Sequence, residues 1–211
     1  MRFVRFIPAV LVLIFSGSSL ALEWSEYVNM EERFAVNFPA APTMEEGSFR
    51  SQSGAMLPTR IFTAVNGPST YSVTVVDYSG VDAAEYDGAM DHAVEMIRRR
   101  GDITSENDAH YEGMPTRMIQ MTNPDSTRSF LAVTLPPTVS HLDRLYIVEG
   151  RAPASAPPPG LFQQSLSFRD EDGVRLRYGT DVDGNKFRII GDTCGFPYTR
   201  RGERGVVLCD Y

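Results

Sequence analysis

Segments in which apolar residues occupy every second position recur along the chain and predict β-strands. In residues 34–38 (FAVNF) large apolar side chains alternate with smaller or polar ones, which is the period of a half-buried strand. Residues 70–78 (TYSVTVVDY) are rich in β-branched and aromatic residues, as expected of a central strand. Similar patterns predict further strands at residues 47–52, 59–65, 103–110, 115–121, 129–135 and 142–149.

One segment has the period of an α-helix instead. Asp82 can cap its first turn, and Glu85 follows three residues later, which is the capping-box spacing. Three arginines at residues 98–100, followed by a glycine, are typical of a helix end. We therefore predict one long helix over residues 83–100, with an apolar stripe that consists of Ala83, Tyr86, Met90, Ala93, Val94 and Ile97. A shorter helix is predicted within residues 161–168, after a proline-rich run that suits either a flexible linker or a helix start.

The tail of the chain, residues 169–211, contains the strongest hairpin signal. Asp183-Gly184 is a favoured turn pair, and it lies between two strand candidates. The two candidates are residues 174–180 and 186–191. A two-residue turn would place Tyr178 opposite Ile189 across the hairpin. We predict that the hairpin extends from the main body of the protein.

The predicted register collects basic side chains on one face of this hairpin. Three of them form a candidate anion-binding site, namely Arg175, Arg177 and Arg188. In the same register Arg175 would face Asp192, and Lys186 would face Asp181. Such cross-strand ion pairs are the simpler explanation of the pattern. Both interpretations stay open at the level of the sequence.

The first residues have the three zones of a secretory signal. Arg2 and Arg5 give a basic start, residues 6–15 are an unbroken apolar run, and small residues follow up to Ala21. A spanning helix needs about 20 apolar residues, and this run is too short for one. We expect cleavage after Ala21, no membrane span in the mature chain, and a periplasmic or secreted location.

The expected mature chain is acidic, and its charge limits the class of partner. Without Arg2 and Arg5 it has 18 basic and 27 acidic residues, a formal net charge of −9. Such a charge repels nucleic acid and anionic membrane surfaces. We therefore expect neither as a partner. The specific partner stays open, with a protein of the cell envelope as the expected class.

The two cysteines, Cys194 and Cys209, lie close together in the sequence. In an oxidising compartment an even cysteine count favours a disulfide over a metal pair or a reactive thiol. A last strand at residues 205–210 would bring Cys209 near Cys194. Closing a loop of this length stabilises a fold by about 3 kcal/mol in the chain-entropy model. We predict a Cys194–Cys209 disulfide.

Residues that could carry catalysis are few and scattered. The histidines are His92, His110 and His141. His92 and Glu95 have the spacing of a metal-ligand pair on a helix, but a site needs further ligands, and a solvated helix face explains them more simply. Asp181, Asp183 and Asn185 alternate as in a calcium loop, without the glycine and glutamate of an EF-hand. We expect no catalytic residue, no metal ion and no cofactor.

The order of elements in residues 24–168 resembles the PsbP-like family, which includes DcrB-like proteins. The shared features are the early aromatic Trp24, the strand that ends at Pro39, the long helix and the closing segment at residues 161–168. The resemblance implies an antiparallel sheet with helices packed on it, and a binding or accessory role. The family has no common catalytic set, so no functional residue is carried over.

These observations predict an α+β protein in three parts. The parts are a signal peptide (residues 1–21), a PsbP-like domain (residues 22–168) and a disulfide-closed β-hairpin extension (residues 169–211). The domain would hold an antiparallel sheet with one long and one short helix. The expected function is that of an exported, non-catalytic accessory or binding protein of the cell envelope. Two alternatives stay open, a metal-dependent or hydrolytic periplasmic enzyme that uses histidine and carboxylate groups, and an anion-binding module formed by the hairpin.

Overall fold

The computed structural model describes residues 24–180, 186–190, 200–201 and 206–208. Strands account for 55% of the structure and helices for 13%, so the fold is mainly antiparallel β. The predicted α+β class was therefore wrong. The prediction failed for two physical reasons. The segments at residues 34–38 and 167–169 pair with each other as strands, which adds a second sheet, and the helical segment is short.

The elements are named in chain order. The strands are β1 (Ser25–Asn29), β2 (Phe34–Phe38), β3 (Thr43–Arg50), β4 (Met56–Asn66), β5 (Ser69–Asp77), β6 (Asp102–Tyr111), β7 (Met114–Thr122), β8 (Thr127–Thr134), β9 (Arg144–Pro153), β10 (Ser167–Arg169), β11 (Arg175–Thr180), β12 (Lys186–Ile190), β13 (Arg200–Arg201) and β14 (Val206–Leu208). The helices are α1 (Ala83–Asp87), α2 (Ala89–Arg98) and α3 (Gly160–Gln163), with a 3₁₀ turn at Thr138–Ser140.

The larger sheet is antiparallel throughout and has the order β3-β4-β5-β9-β8-β7-β6. The strands predicted between residues 59 and 149 all belong to it. Alternation of side chains along a strand sends successive residues to opposite faces. Both faces of this sheet are covered, because the sheet lies between two apolar clusters.

The second sheet has the order β1-β2-β10-β11-β12 and is extended by the short strands β14 and β13. It packs on one face of the larger sheet through a core that includes Phe34, Phe62, Tyr146 and Phe168. The pairing of β12 with β14 is parallel, whereas the other pairings in this sheet are antiparallel. Large, fully buried aromatic side chains dominate this core, as expected for a region between two sheets.

The helical segment packs on the other face of the larger sheet. Asp82 caps α1 as predicted, since its carboxylate accepts a hydrogen bond of 2.9 Å from the Glu85 amide. The reciprocal bond of a capping box is replaced, because the Glu85 carboxylate accepts from the amide and hydroxyl of Ser53. A turn at Gly88 divides the segment, so the longer helix spans Ala89–Arg98 and no single long helix forms.

The tail is joined to the body through the second sheet. β10 pairs with β2 on one side and with β11 on the other, so the predicted boundary at residue 168 falls inside a strand. No disulfide at bonding distance is present among the residues that the structure describes. Cys194 and Cys209, and with them the predicted disulfide, lie outside those residues. The predicted signal peptide also lies outside them.

Candidate binding site

An apolar cavity of about 520 Å³ opens where the β4–β5 turn meets α3 and the residue before β1. We call it the apolar groove. Its main lining residues are Trp24, Pro68, Tyr71, Pro158, Leu161 and Phe162. None of the described residues that line the groove is charged. Together with Asn37, the lining residues come from four separate parts of the chain, so the fold alone brings them together.

Three aromatic rings form the centre of the groove. The ring centroids of Trp24 and Tyr71 are 4.9 Å apart, and those of Tyr71 and Phe162 are 5.1 Å apart, both pairs in edge-to-face geometry. This is a favoured arrangement for aromatic pairs. Phe162 and Tyr71 are buried, whereas Trp24 is 42% exposed. The rings of Tyr71 and Phe162 therefore form the floor of the groove, and Trp24 lies at its mouth.

The proline-rich run forms one wall of the groove. Gly150 of β9 pairs with Tyr71 of β5, and a β-carbon at Gly150 would lie 2.6 Å from the β-carbon of Pro159. The missing side chain therefore lets Pro159 pack directly against the sheet. The run leads into α3 at Gly160. Of the two predicted roles for this run, the helix start agrees with the structure.

The short helix α3 is held in place by a buried polar side chain. The amide nitrogen of Gln163 donates to the carbonyl oxygen of Leu131, and lies 3.5 Å from that of Ile119. Gln163 is 1% exposed. Its neighbours on the helix point to opposite environments, since Phe162 is buried and Leu161 is 86% exposed. The anchor therefore fixes the position of the groove floor and leaves Leu161 at the rim.

The chemistry of the groove suits an uncharged ligand. Small-molecule sites are concave and mostly apolar, with volumes of about 300–1,000 Å³ and a few polar groups. Here the polar side chains are those of Asn37, Asn66 and Ser69. A ligand would cover apolar surface of Trp24 and Leu161, and burial of such surface is worth about 25 cal/mol per Å².

A second cavity of about 450 Å³ adjoins the groove and is polar. We call it the polar cavity. Its titratable lining residues are Glu26, His110, Tyr111, Glu112 and Arg175. Both carboxylates are paired, Glu26 with Arg169 at 2.8 Å and Glu112 with Arg175. Burial raises the pKa of Tyr111, whose hydroxyl donates to the sulfur of Met118 at 2.7 Å.

The three histidines do not share one site. His110 lines the polar cavity with Glu26 and Glu112. His92 Nε2 lies 2.9 Å from the carbonyl oxygen of Arg50, and its ring meets that of Phe49 edge-on. His141 follows the 3₁₀ turn in a left-handed conformation. Within the described ranges, no group of three or more His, Cys, Asp or Glu is arranged to hold a metal ion.

The tail arginines are distributed differently from the prediction. Tyr178 pairs with Arg188, and Arg177 pairs with Ile189, a shift of one residue from the predicted register. A shift of one residue moves side chains to the opposite face. Arg188 therefore shares a face with Tyr178, whereas Arg175 and Arg177 lie on the other face. Arg188 pairs with Asp170, and Arg175 with Glu112. The anion-binding hypothesis for Arg175, Arg177 and Arg188 stays a prediction.

Sequence reasoning did not identify the apolar groove. The sequence pattern indicates a family feature at Trp24, part of a helix at Phe162 and part of a central strand at Tyr71, and it assigns none of them to a site. One signal was available, a run of prolines next to an apolar pair, Leu161-Phe162, in an otherwise polar stretch. The positions of Trp24 and Tyr71 relative to that run depend on the pairing of distant strands.

Comparison of the chain with protein-family models, with curated proteins and with solved structures found no match. The resemblance to the PsbP-like family therefore stays a prediction. A search of the described residues for membrane spans found no helix with the length and apolar character that crossing would require.

Proposed function

We propose that this protein is an exported, non-catalytic binding protein of the cell envelope, and that its ligand enters the apolar groove. The secretory pattern of residues 1–21 supports the location. The observation that carries the binding role is the uncharged groove itself, with its floor of Tyr71 and Phe162. Burial of apolar surface is the main driving force for a ligand in such a cavity.

The ligand part that fits the groove is uncharged and apolar. A charged group placed among the aromatic rings and prolines would lose hydration, and no lining residue in the described part of the chain carries an opposite charge. An alkyl or aromatic group would instead cover Leu161 and Trp24, which are 86% and 42% exposed. The rim residues would then account for part of the affinity.

The position of Trp24 provides a direct binding assay. It is the single tryptophan of the chain and lines the groove, so its emission reports on this site. We expect titration with a neutral apolar dye such as Nile red to quench Trp24 and to saturate. The absence of any saturable change in either fluorophore would overturn the proposed function.

Two variants at exposed residues, one at the groove and one outside it, test whether the dye binds in the groove. Leu161→Asp adds a charge at the rim and should weaken dye binding about fivefold or more, because the charge must be desolvated. Met56→Asp is the matched control, since Met56 is 62% exposed and lies on β4 outside the groove. Equal weakening by both variants would place the dye elsewhere on the surface.

The proposed location has its own test. Mass spectrometry of protein recovered from the envelope or the medium should find a chain that begins near residue 22. Recovery in the cytosol of a chain that retains Arg2 and Arg5 would contradict export, whatever the outcome of the dye titration.

A further inference from the structure

The apolar groove and the polar cavity are neighbours that share one lining residue. Asn37 of β2 lines both cavities. Its backbone N–H donates a hydrogen bond of 3.1 Å to the hydroxyl of Ser165, which lines the polar cavity. Phe162 and Gln164 of the same chain segment lie one in each lining. A ligand that extends past Asn37 would therefore pass from an apolar to a polar environment within one molecule.

We propose that the ligand is an amphiphile without net charge, with its hydrocarbon part in the apolar groove and its polar head in the polar cavity. This inference rests on the proposed function, because it assigns the chemical class of the ligand for the same groove. The ligand has a single hydrocarbon chain, and its head carries either hydroxyl groups or one charge of each sign.

The charges around the polar cavity select a head without net charge. The carboxylates of Glu26 and Glu112 are each paired with an arginine, Arg169 and Arg175 respectively. Both signs are therefore present, because Arg175 lies in the cavity wall with the two carboxylates and Arg169 pairs with Glu26 from outside the lining. A cationic head would lie close to Arg175, and an anionic head close to Glu26 and Glu112. A head with donors and acceptors can bond to both without such repulsion.

The hydrocarbon part is selected by the other end of the site. The groove floor consists of Tyr71 and Phe162, and its rim includes Leu161. None of the described groove residues carries a charge. The ligand therefore has one orientation, with its head towards His110 and Arg175 and its chain towards Trp24.

A series of decyl amphiphiles with different heads tests this assignment on the whole protein. The heads are maltoside, phosphocholine, sulfate and trimethylammonium, each titrated as monomers with Trp24 emission as the readout. We expect the maltoside and the phosphocholine to bind about fivefold or more tightly than the two charged members. Equal affinities across the series would overturn the inference, as would the tightest binding by a charged head.

A charge reversal in the polar cavity provides a specificity readout. Arg175→Glu leaves the cavity with excess negative charge, so the ratio of trimethylammonium to sulfate affinity should rise about tenfold. Arg175→Gln should shift the ratio in the same direction by less, and it avoids placing two carboxylates together. Arg99→Glu is the control of equal charge change, because Arg99 is 74% exposed and lies outside both cavities. An unchanged ratio in folded Arg175→Gln would refute the head assignment.

The failure of this inference can be separated from the failure of the proposed function. If Nile red binds the groove but all decyl heads bind equally, the groove functions and the polar cavity does not contribute. If neither Nile red nor any decyl amphiphile binds, the proposed function falls together with the inference. If the charged heads change affinity equally in Arg175→Glu and Arg99→Glu, the effect is one of net charge, and the head assignment is wrong.

Discussion

The backbone amide of Tyr178 donates a hydrogen bond of 2.7 Å to the carbonyl oxygen of Glu112. This bond joins the turn between β6 and β7, in the larger sheet, to β11 in the second sheet. Both turn residues have positive φ, 54° at Glu112 and 78° at Gly113. The Glu112 carboxylate also pairs with Arg175. The two sheets are therefore connected by backbone and side chain at the same point.

The contact requires the glycine, and this gives a prediction for stability. A β-carbon at Gly113 would lie 1.8 Å from the carbonyl oxygen of Tyr178. We expect Gly113→Ala to lower the free energy of unfolding by about 2–4 kcal/mol, because the turn must move away from β11. Gly80→Ala is the control, since Gly80 has φ +81° with no atom within 4 Å. It should cost about 1 kcal/mol through backbone strain alone. Equal losses in denaturant titrations would show that the close approach is unimportant.

The local elements of this fold could be predicted from the sequence, whereas its class could not. The strand at residues 34–38 and the cap at Asp82 were predicted correctly because both depend on neighbouring residues. The three residues of β10 show no period, and they form a strand because β2 and β11 lie on either side. Without β10 the tail looked like a separate hairpin, and the second sheet was missed.

The candidate site was less predictable than the elements that carry it. Trp24, Tyr71 and Phe162 are far apart in the sequence, and each has an ordinary structural explanation when taken alone. Their contact depends on the pairing of β5 with β9 and on the path of the proline-rich run over Gly150. The predicted hairpin register was wrong by one residue, since Tyr178 pairs with Arg188 and not with Ile189.

Glu32 is a buried carboxylate that pairs with two arginines, and its removal should destabilise the fold. Its side chain is 6% exposed and pairs with Arg60 and Arg144. We expect Glu32→Gln to lower the free energy of unfolding by about 3 kcal/mol, because it leaves the arginines without their buried partner. Glu171→Gln is the matched control, since Glu171 is 79% exposed in its pair with Arg33. That change should cost less than about 1 kcal/mol. A similar small loss for Glu32→Gln in urea titrations would contradict the role of burial.

Stability at acid pH should depend on Glu106. The pKa of Glu106 lies below its usual 4.5, mainly because Arg98 donates hydrogen bonds to its carboxylate. Burial opposes this shift, and a hydrogen bond from Arg117 adds to it. A carboxylate whose pKa is lower in the folded state stabilises the fold above its unfolded pKa. That contribution is lost as the pH falls through the folded pKa. We expect the free energy of unfolding of Glu106→Gln to fall less steeply than that of the wild type below about pH 4.5. Parallel curves for the two proteins would exclude a contribution from Glu106.

The amide of Gln163 is predicted to couple the stability of the fold to the shape of the apolar groove. It donates to the carbonyl oxygen of Leu131 from a position that is 1% exposed. Gln163→Leu has a similar volume but removes the donor, so we expect a loss of about 1–3 kcal/mol in the free energy of unfolding. Because Phe162 is the adjacent residue, α3 should also shift, and Nile red should bind more weakly with an altered Trp24 emission.

An exposed glutamine outside both cavities provides the control for this change. Gln120 is exposed on β7 and lines neither cavity, so Gln120→Leu should alter the free energy of unfolding by no more than about 0.5 kcal/mol. It should also leave the Trp24 spectrum and the affinity for Nile red as they are. If Gln163→Leu unfolds at the same urea concentration as the wild type and binds the dye equally well, then the buried amide does not anchor α3. In that case packing of Phe162 between Tyr71 and Phe38, with ring centroids 5.1 and 5.3 Å away, would suffice to hold the floor of the groove.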